Sequence, residues 1–483
     1  MNPLFLIDFY KVGHVSQYPQ NTTQVWSNWT PRSTRIPSQK SVVFFGLQYF
    51  IKEILQKEWQ ENFFDRPLAH VLEEYQEIIA ATLGIVCPKT DHIAALHNLG
   101  YLPIDIYALP EGVNVPLRVP ALVITNTDPS MYWLPNYLET ILSNILWKPC
   151  TSATTAQAYR KLFIKYAKES GETDFGFVDW MGHDFSFRGM AGREDAILSG
   201  MGHLLSFSGT DTVPAILTAN RYYDAAITCG GSVPATEHSV MCAGGQDDEL
   251  ETFRHLIEDV YPKGIVSIVS DTWDLWKVLT EYVPALKDTI LARDGKVVIR
   301  PDSGDPVKII CGGGGLVGTP EFEGTLRLLA NAVGTTGKMI NKMAAIYGDS
   351  ITLERADQIL RKTVHEIGLS PYNLVFGIGS YTYEYVTRDT YGFAMKATAV
   401  RRDGQIIDIF KKPITDSGEK TSLRGIPAVY KALVGQGEGT GSYYVEDGKT
   451  PEDLDRCAFR KVFSDGCLLV EDNFETIRKR VRQ

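Results

Sequence analysis

From about residue 151 to 390 the chain repeats one cadence: a short apolar run, a charged or glycine-containing step, then an amphipathic helical stretch. Apolar strand followed by helix, several times over, predicts a parallel sheet, because parallel neighbours need a crossover between them. Four runs carry the pattern most clearly: Ile265 to Ser270 before Asp271, Val297 to Ile299 before Arg300-Pro301-Asp302, Ala344 to Tyr347 before Gly348-Asp349, and Leu374 to Phe376 before Gly377. Three more are weaker: Phe175 to Trp180 before His183-Asp184, Leu204 to Phe207 before Gly209-Thr210-Asp211, and Ser232 to Thr236 before Glu237-His238. Side chains just past the C-terminal ends of parallel strands converge on one mouth in a barrel, or along one edge in an open doubly wound sheet. Seven such ends in order favour an irregular, TIM-barrel-like parallel α/β barrel with one shared site, the open sheet being the alternative.

The flanking regions read differently. Ile104 to Ala108 and Ala121 to Ile124 have strand patterns, whereas Trp133, Leu134, Tyr137, Leu138, Ile141, Leu142 and Ile145 recur at helical spacing, an aromatic stripe best read as core. After 390, Phe393 to Val400 and Gln405 to Phe410 flank Arg402-Asp403-Gly404, a hairpin signal, and a basic helix is expected from Phe474.

Composition narrows the class of protein. At about 150 residues per domain, 483 residues suggest two or three domains. With 48 Lys+Arg against 58 Asp+Glu the net charge is -10, which does not supply the basic footprint of a nucleic-acid binder; small anionic ligands need local cations. The seven cysteines (87, 150, 229, 242, 311, 457 and 467) form no Cys-x-x-Cys pair and are odd in number, the pattern of a reduced, cytoplasmic protein. No run reaches about 18 apolar residues and the N-terminus has no basic segment before Leu4 to Ile7, so neither a membrane span nor a signal peptide is expected.

The strand ends carry the chemistry that a phosphorylated sugar requires: cations for phosphate, glycines that expose backbone N–H groups, and carboxylates for Mg²⁺ or ribose hydroxyls. Arg300 and Asp302 lie in Ile-Arg-Pro-Asp-Ser-Gly-Asp-Pro, and Asp349 follows Gly348. Gly377-Ile378-Gly379-Ser380 is a candidate phosphate cradle that equally describes a tight strand-to-helix turn. Each of these, taken singly, also fits a helix cap or solvated turn; their succession at seven strand ends is what points to a site. Gly312 to Gly315 lacks the Lys-Ser/Thr ending of a P-loop and reads as a loop. His238, beside Glu237, is either a structural histidine or a nucleophile or acid/base group.

Taken together the segments closely resemble the nicotinamide phosphoribosyltransferases, of the type II phosphoribosyltransferase group. The resemblance runs from Asp8 to about Lys412 and is carried by Asp8-Phe9-Tyr10-Lys11, Gln17-Tyr18-Pro19, Asn126 to Pro129, His183-Asp184-Phe185 with Arg188-Gly189, Gly209 to Val213, Val233-Pro234 with Glu237-His238-Ser239, Val269-Ser270-Asp271, Ile299 to Gly304 and Thr387-Arg388-Asp389. It implies an α/β barrel over 151–390, with an N-terminal α+β segment (1–150) and a C-terminal segment (391–483) completing a second, α+β domain. It also implies transfer of phosphoribose from 5-phosphoribosyl 1-pyrophosphate to nicotinamide, with Mg²⁺, in a homodimer whose subunits share active sites.

By motif position, the resemblance implies that Phe185 and the partner's Tyr10 sandwich the pyridine ring, while Arg188 and Asp211 hold the amide and Arg300 lines the same pocket. It places Asp302 and Asp349, after Gly348, at the ribose or the metal. The Gly379 and Ser380 amides fall at the 5′-phosphate, Arg32, Arg388 and Lys396 at pyrophosphate, and Asp271 near both sugar and pyrophosphate. It also implies ATP as a co-substrate through a phosphorylated His238, with Glu237 beside it. Two positions depart from the family pattern: Ser380 stands where a glycine run is usual, and Ala394 where a serine is. The segment 311–342 matches poorly and is assigned no role. Nicotinate phosphoribosyltransferase is the nearest alternative, which a carboxylate at 211 disfavours by repelling the acid. A non-catalytic dimeric binding protein on the same fold is the alternative of another class.

Overall fold

In a computed structural model, residues 1–86, 88–412, 422–432 and 443–483 are described. Internal contacts divide the chain into two units, one of Met1–Ala153, Thr218–Ala225 and Val386–Gln483, the other of Thr154–Leu217 and Ala226–Tyr385. The expected boundaries were 150 and 390. Residues 218–225 belong to the terminal unit because two tyrosines tie them there: Tyr222 packs edge-on to Tyr49 and its carbonyl accepts from Gln48 Nε2 (2.7 Å), while the Tyr223 ring lies 5.1 Å from that of Phe45.

The second unit is built on six hydrogen-bonded parallel strands, in the order Gly209–Thr210, Gly182–Asp184, Leu374–Ile378, Met343–Tyr347, Asp294–Arg300, Lys263–Val269. Two single parallel bridges, Gly209 to Gly231 and Ala235 to Ser267, carry residues 231–235 across from one outer strand to the other. Every strand therefore stands beside its neighbours in sequence, and the sheet curls into the irregular parallel barrel expected.

The four clear runs fall on strands; Phe175 to Trp180 and Leu204 to Phe207 do not. Val178–Met181 is a helical turn, Leu204 ends the helix Arg193–Leu204, and the strands are the short polar steps that follow, Gly182–Asp184 and Gly209–Thr210. Some of the preceding apolar residues are fully buried nonetheless, with Val178, Met181, Leu204 and Phe207 at 0% exposure, whereas Trp180 is 43% exposed. In Leu204 to Phe207, burial rather than extension is what the run encodes. Along the true strands, alternate residues serve two cores. Val297, Ile299, Met343, Ala345, Leu374 and Phe376 pack outward with the helices, while Val298, Ala344 and Ile346 form a small separate cluster that Phe185 and Val375 join. Burial on both faces explains why these strands read as continuous apolar runs.

The first unit holds a seven-stranded antiparallel sheet in the order Gln405–Asp408, Ala394–Arg402, Thr22–Thr30, Leu122–Asn126, Ile104–Ala108, Arg460–Ser464, Cys467–Leu468. The expected hairpin closes through Asp403 (φ 51°) and Gly404 (φ 77°), a left-handed pair suited to a two-residue turn. The helical stripe falls on Leu134–Tyr137 and the start of Glu139–Ser170, and Phe474–Arg482 is helical. Six cysteines are described and none of them is joined in a disulfide; Cys87 lies outside the described residues. Among the described residues, no helix is long and apolar enough to cross a membrane.

Candidate active site

The C-terminal ends of the parallel strands open into a cavity of about 970 Å³. Its lining includes Phe185, Arg188, Asp211, Glu237, Arg300, Asp302, Gly348, Asp349, Gly379 and Ser380, ten of the residues singled out from the sequence. Strand geometry is the cause: Asp211, Glu237, Asp302, Gly348 and Gly379 each stand one or two residues past a strand or the closing segment, where side chains and exposed backbone face the mouth.

Phe185 forms one wall, and glycines make room for it. A Cβ at Gly377 would lie 2.6 Å from Phe185 Cε2, closer still to Cδ2, and 2.7 Å from Gly348 Cα; a Cβ at Gly348 would lie 3.0 Å from the same ring. Gly377 is thus a seat for the aromatic ring, whereas the sequence pattern had grouped it with a phosphate cradle. At Gly379 a Cβ would meet nothing nearer than 3.9 Å, and its carbonyl accepts from Thr382 and Tyr383 to begin the helix Ser380–Tyr383. Ser380 in turn abuts Gly189, where any Cβ would come within 2.6 Å of the serine Cβ.

Asp211 is held by two residues that the sequence reading did not single out. Its Oδ1 accepts from His183 Nε2 (2.9 Å) and from Ser232 Oγ (2.7 Å). Burial works to raise its pKa, but the His183 and Ser232 hydrogen bonds and the Arg300 charge outweigh it and hold the carboxyl below its usual range. His183 is itself seated on a glycine, since a Cβ at Gly209 would stand 2.7 Å from its Nδ1. A histidine at a strand end beside a site phenylalanine was the signal available in the sequence. Arg300 donates through Nη2 to the Thr236 carbonyl, and its Nε is buried with no hydrogen-bond partner among the described residues. Burial pulls its pKa down against the opposing charges of Asp302, Asp211 and Asp271.

Asp271 is almost fully buried and does not line the cavity. Its Oδ2 accepts from the Asp302 backbone N–H (2.8 Å) and from Ser303 Oγ (2.6 Å), so it fixes the loop that presents Asp302. The carboxylate nearest His238 is also Asp271, whose Oδ1 lies 3.8 Å from Nε2, and the other ring nitrogen meets Thr272 Oγ1 at 3.2 Å. Glu237, which sequence adjacency suggested as the partner, accepts instead from Ser239 and faces the cavity; consecutive residues at a helix start point apart. The His238 side chain is 46% exposed.

Tyr10, Arg32, Arg388 and Lys396 belong to the antiparallel unit and are gathered there separately. Strand register sets Lys396 opposite Asn28, and Arg32, just past the same strand, donates through Nε to the Gly392 carbonyl (3.0 Å). Arg388 starts a short turn capped by Thr387. Tyr10 is 60% exposed. Burial lowers the pKa of Lys396, Glu139 works against that, and Arg32, Lys11 and Lys411 add to it, which places these charges in one cluster.

A parallel barrel whose mouth joins an aromatic wall to a carboxylate, guanidinium groups and open glycine turns has the architecture and site of a type II phosphoribosyltransferase. Comparison with known sequences refines the class: the chain belongs to the nicotinate phosphoribosyltransferase family, whose profile matches residues 181–465, and residues 2–79 match the nicotinamide phosphoribosyltransferase N-terminal domain. A nicotinamide phosphoribosyltransferase of Acinetobacter baylyi is 47% identical, the match covering all of this chain and 97% of that protein. One of Xanthomonas campestris is 34% identical over 88% of this chain and 86% of its own length. The crystal structure of human nicotinic acid phosphoribosyltransferase shares the fold with a TM-score of 0.61 at 14% identity, covering 98% of this chain and 92% of that one.

Proposed function

We propose that the protein is a nicotinamide phosphoribosyltransferase that joins nicotinamide to 5-phosphoribosyl 1-pyrophosphate, giving nicotinamide mononucleotide and pyrophosphate for NAD salvage. The observation that carries the choice of amide over acid is Asp211, an ionised carboxylate fixed by His183 and Ser232 in the wall of the cavity. It can accept from the amide NH₂ and would repel the carboxylate of nicotinate. Similarity to relatives named for the amide substrate, over all of this chain in one case and 88% of it in another, supports the same reading.

The reaction breaks the bond between ribose C1 and a pyrophosphate oxygen as positive charge builds on the sugar. Because the pyridine nitrogen already has a free lone pair, no general base is needed, and catalysis reduces to alignment and charge stabilisation. Phe185 on one face and Tyr10 of the partner subunit on the other would align the ring by offset stacking, with Arg188 and Arg300 beside the amide. The backbone N–H groups of Gly379 and Ser380 suit the 5′-phosphate, and Arg32, Arg388 and Lys396 suit departing pyrophosphate. Ala394 offers no hydroxyl to that cluster.

Asp302, with Asp349, would hold Mg²⁺. Mg²⁺ commonly takes one or two carboxylates and fills its remaining positions from substrate oxygens and water. When bound, the ion would neutralise the leaving diphosphate. His238, half-exposed with Asp271 and Thr272 at its two nitrogens, suits phosphorylation by ATP as a co-substrate. Cysteines that form no disulfide among the described residues suit a cytoplasmic enzyme.

The test is to incubate the protein with the phosphoribosyl donor, Mg²⁺ and either nicotinamide or nicotinate, with and without ATP, and to identify the mononucleotide formed. Nicotinamide mononucleotide should dominate, and His238→Ala should lose the stimulation by ATP while retaining slower synthesis. Formation of the acid product alone would return the chain to the nicotinate reading, and absence of any product to a binding protein. Sharing of sites in a homodimer is tested by mixing Tyr10→Ala and Asp211→Ala chains, which should restore part of the activity that each lacks.

A further inference from the structure

Lys11 follows Tyr10 and is buried, its side chain only 1% exposed. A lysine so placed needs a counter-charge, and Glu139 provides it: Oε2 pairs with Lys11 Nζ. The other oxygen, Oε1, lies 4.0 Å from Lys396 Nζ, a separation at the outer limit of an ion pair that leaves Lys396 free to turn to an anion. The next residue ties down the start of the same turn, for Thr140 Oγ1 donates to Asp8 Oδ2 (2.9 Å) and accepts from the Asp8 N–H (3.3 Å). Lys11 Nζ stands 5.0 Å from the centre of the Tyr10 ring. Residues 139 and 140 thus hold both ends of the segment that carries Tyr10. Of the charges acting on Lys396, Arg32, Lys11 and Lys411 are cations, and Glu139 is the carboxylate that opposes them.

We propose that Glu139 is a positioning residue for the transfer reaction: it seats the Tyr10 turn through Lys11 and offsets the cationic cluster around Lys396, so that pyrophosphate is held loosely enough to leave. This rests on the reading of Tyr10 as a ring-stacking residue and of Lys396 as a pyrophosphate ligand. The two duties give effects of opposite sign, which a merely structural role would not. Loss of the charge strengthens the hold on a polyanion, whereas loss of the Lys11 partner loosens Tyr10 and weakens the hold on the ring.

The experiment is calorimetric titration of the full-length wild type, Glu139→Gln, Glu139→Asp and Lys396→Ala with magnesium pyrophosphate and, separately, with nicotinamide, alongside product inhibition in the forward reaction. Glu139→Gln should bind pyrophosphate tighter and nicotinamide weaker, each by roughly threefold or more, the scale of one partly exposed ion pair. Product inhibition should deepen to match. Glu139→Asp keeps the charge but shortens the reach, so it should keep wild-type pyrophosphate affinity and still lose nicotinamide affinity; it serves equally if the Gln variant does not fold. Parallel weakening of both ligands, or no change in either, overturns the inference while Lys396→Ala still weakens pyrophosphate. If Lys396→Ala leaves pyrophosphate affinity intact, the reading of the cluster fails first and the inference with it.

Discussion

In the parallel unit, chain direction does the gathering. Asp211, Glu237, Asp302, Gly348 and Gly379 are spread over 169 positions of sequence, yet each follows a strand or closing segment pointing the same way, and so each reaches one cavity. The antiparallel unit gathers its residues by pairing distant strands instead. Lys396 comes to Arg32 because Ala394–Arg402 lies against Thr22–Thr30, and the far side of the same sheet depends on Arg460–Ser464 pairing with Ile104–Ala108. One arrangement tolerates variation in the intervening helices and loops; the other depends on register between segments hundreds of residues apart.

That difference decides what was legible in the sequence. A strand-to-helix cadence is local, so four of the parallel strands and the strand-end chemistry could be read from hydrophobic runs and the steps after them. Gly182–Asp184 and Gly209–Thr210 escaped because two or three polar residues carry no periodicity, and the burial of Val178 and Phe207 mimicked a strand signal. In the antiparallel unit individual strands and the hairpin could be read, but not their order, since nothing near residue 460 announces that residue 108 is its partner. The roles proposed for Tyr10, Arg32, Arg388 and Lys396 rest on family resemblance, not on pattern. His183 and Ser232 were missed for a third reason: they act on Asp211, and although His183 stands at a strand end near Phe185, spacing does not mark which side chains hydrogen-bond to one another.

The sharpest break within the parallel unit is Gly377→Ala. A Cβ there has no room against Phe185 and the Gly348 backbone, so the ring must leave its seat. Misplacing a stacking partner by about 1 Å can cost about a hundredfold in rate, and overpacking adds about 1–3 kcal/mol of destabilisation. We expect kcat/KM for nicotinamide to fall at least about a hundredfold. Gly379→Ala, two residues on with nothing nearer than 3.9 Å, should fall by less than about threefold. Steady-state kinetics on the pair decide whether these glycines are a phosphate signature or, at 377, a seat for an aromatic ring; similar losses in both would sink that distinction.

Asp211→Asn should have the next largest effect, on selectivity rather than fold. A charge-assisted hydrogen bond to a partly desolvated carboxylate, or repulsion of a second anion, is worth about 1.5–3 kcal/mol, roughly ten- to hundredfold. The ratio of kcat/KM for nicotinamide to that for nicotinate should drop by that factor, because Asn removes the repulsion and offers the acid a donor. An unchanged ratio would shift the discrimination to Arg188 and Arg300. Because His183, Ser232 and Arg300 hold the Asp211 pKa below its usual value, amide preference should persist as pH falls through the ordinary carboxylate range, and be lost only when Asp211 itself takes a proton.

The smallest effect on catalysis belongs to the antiparallel unit and concerns Glu111. Its carboxylate is buried; Oε1 accepts from the N–H groups of Gly46 (2.5 Å), Leu47 (2.6 Å) and Gln48 (3.4 Å), and the Tyr223 hydroxyl stands 3.3 Å away. Burial pushes its pKa up from 4.5 to about 7, against the pull of the backbone donors. Between those values the folded chain keeps a proton that the unfolded chain has released. Stability from this group is therefore complete below pH 4.5, declines as pH rises toward 7 and is lost above it, by an amount on the order of 3 kcal/mol. Glu111→Gln mimics the protonated form and can still accept the same backbone hydrogen bonds. The wild type should therefore lose a few degrees of Tm relative to the variant between pH 5 and pH 8. The preference for nicotinamide over nicotinate should not move, since Asp211, to which that choice is assigned under the proposed function, lies in the other unit. Parallel Tm curves for the two proteins would show that Glu111 ionises normally in the fold, its three amide donors outweighing its burial, whereas a change in substrate preference would break the separation between a unit that is held together by register and one that selects by strand ends.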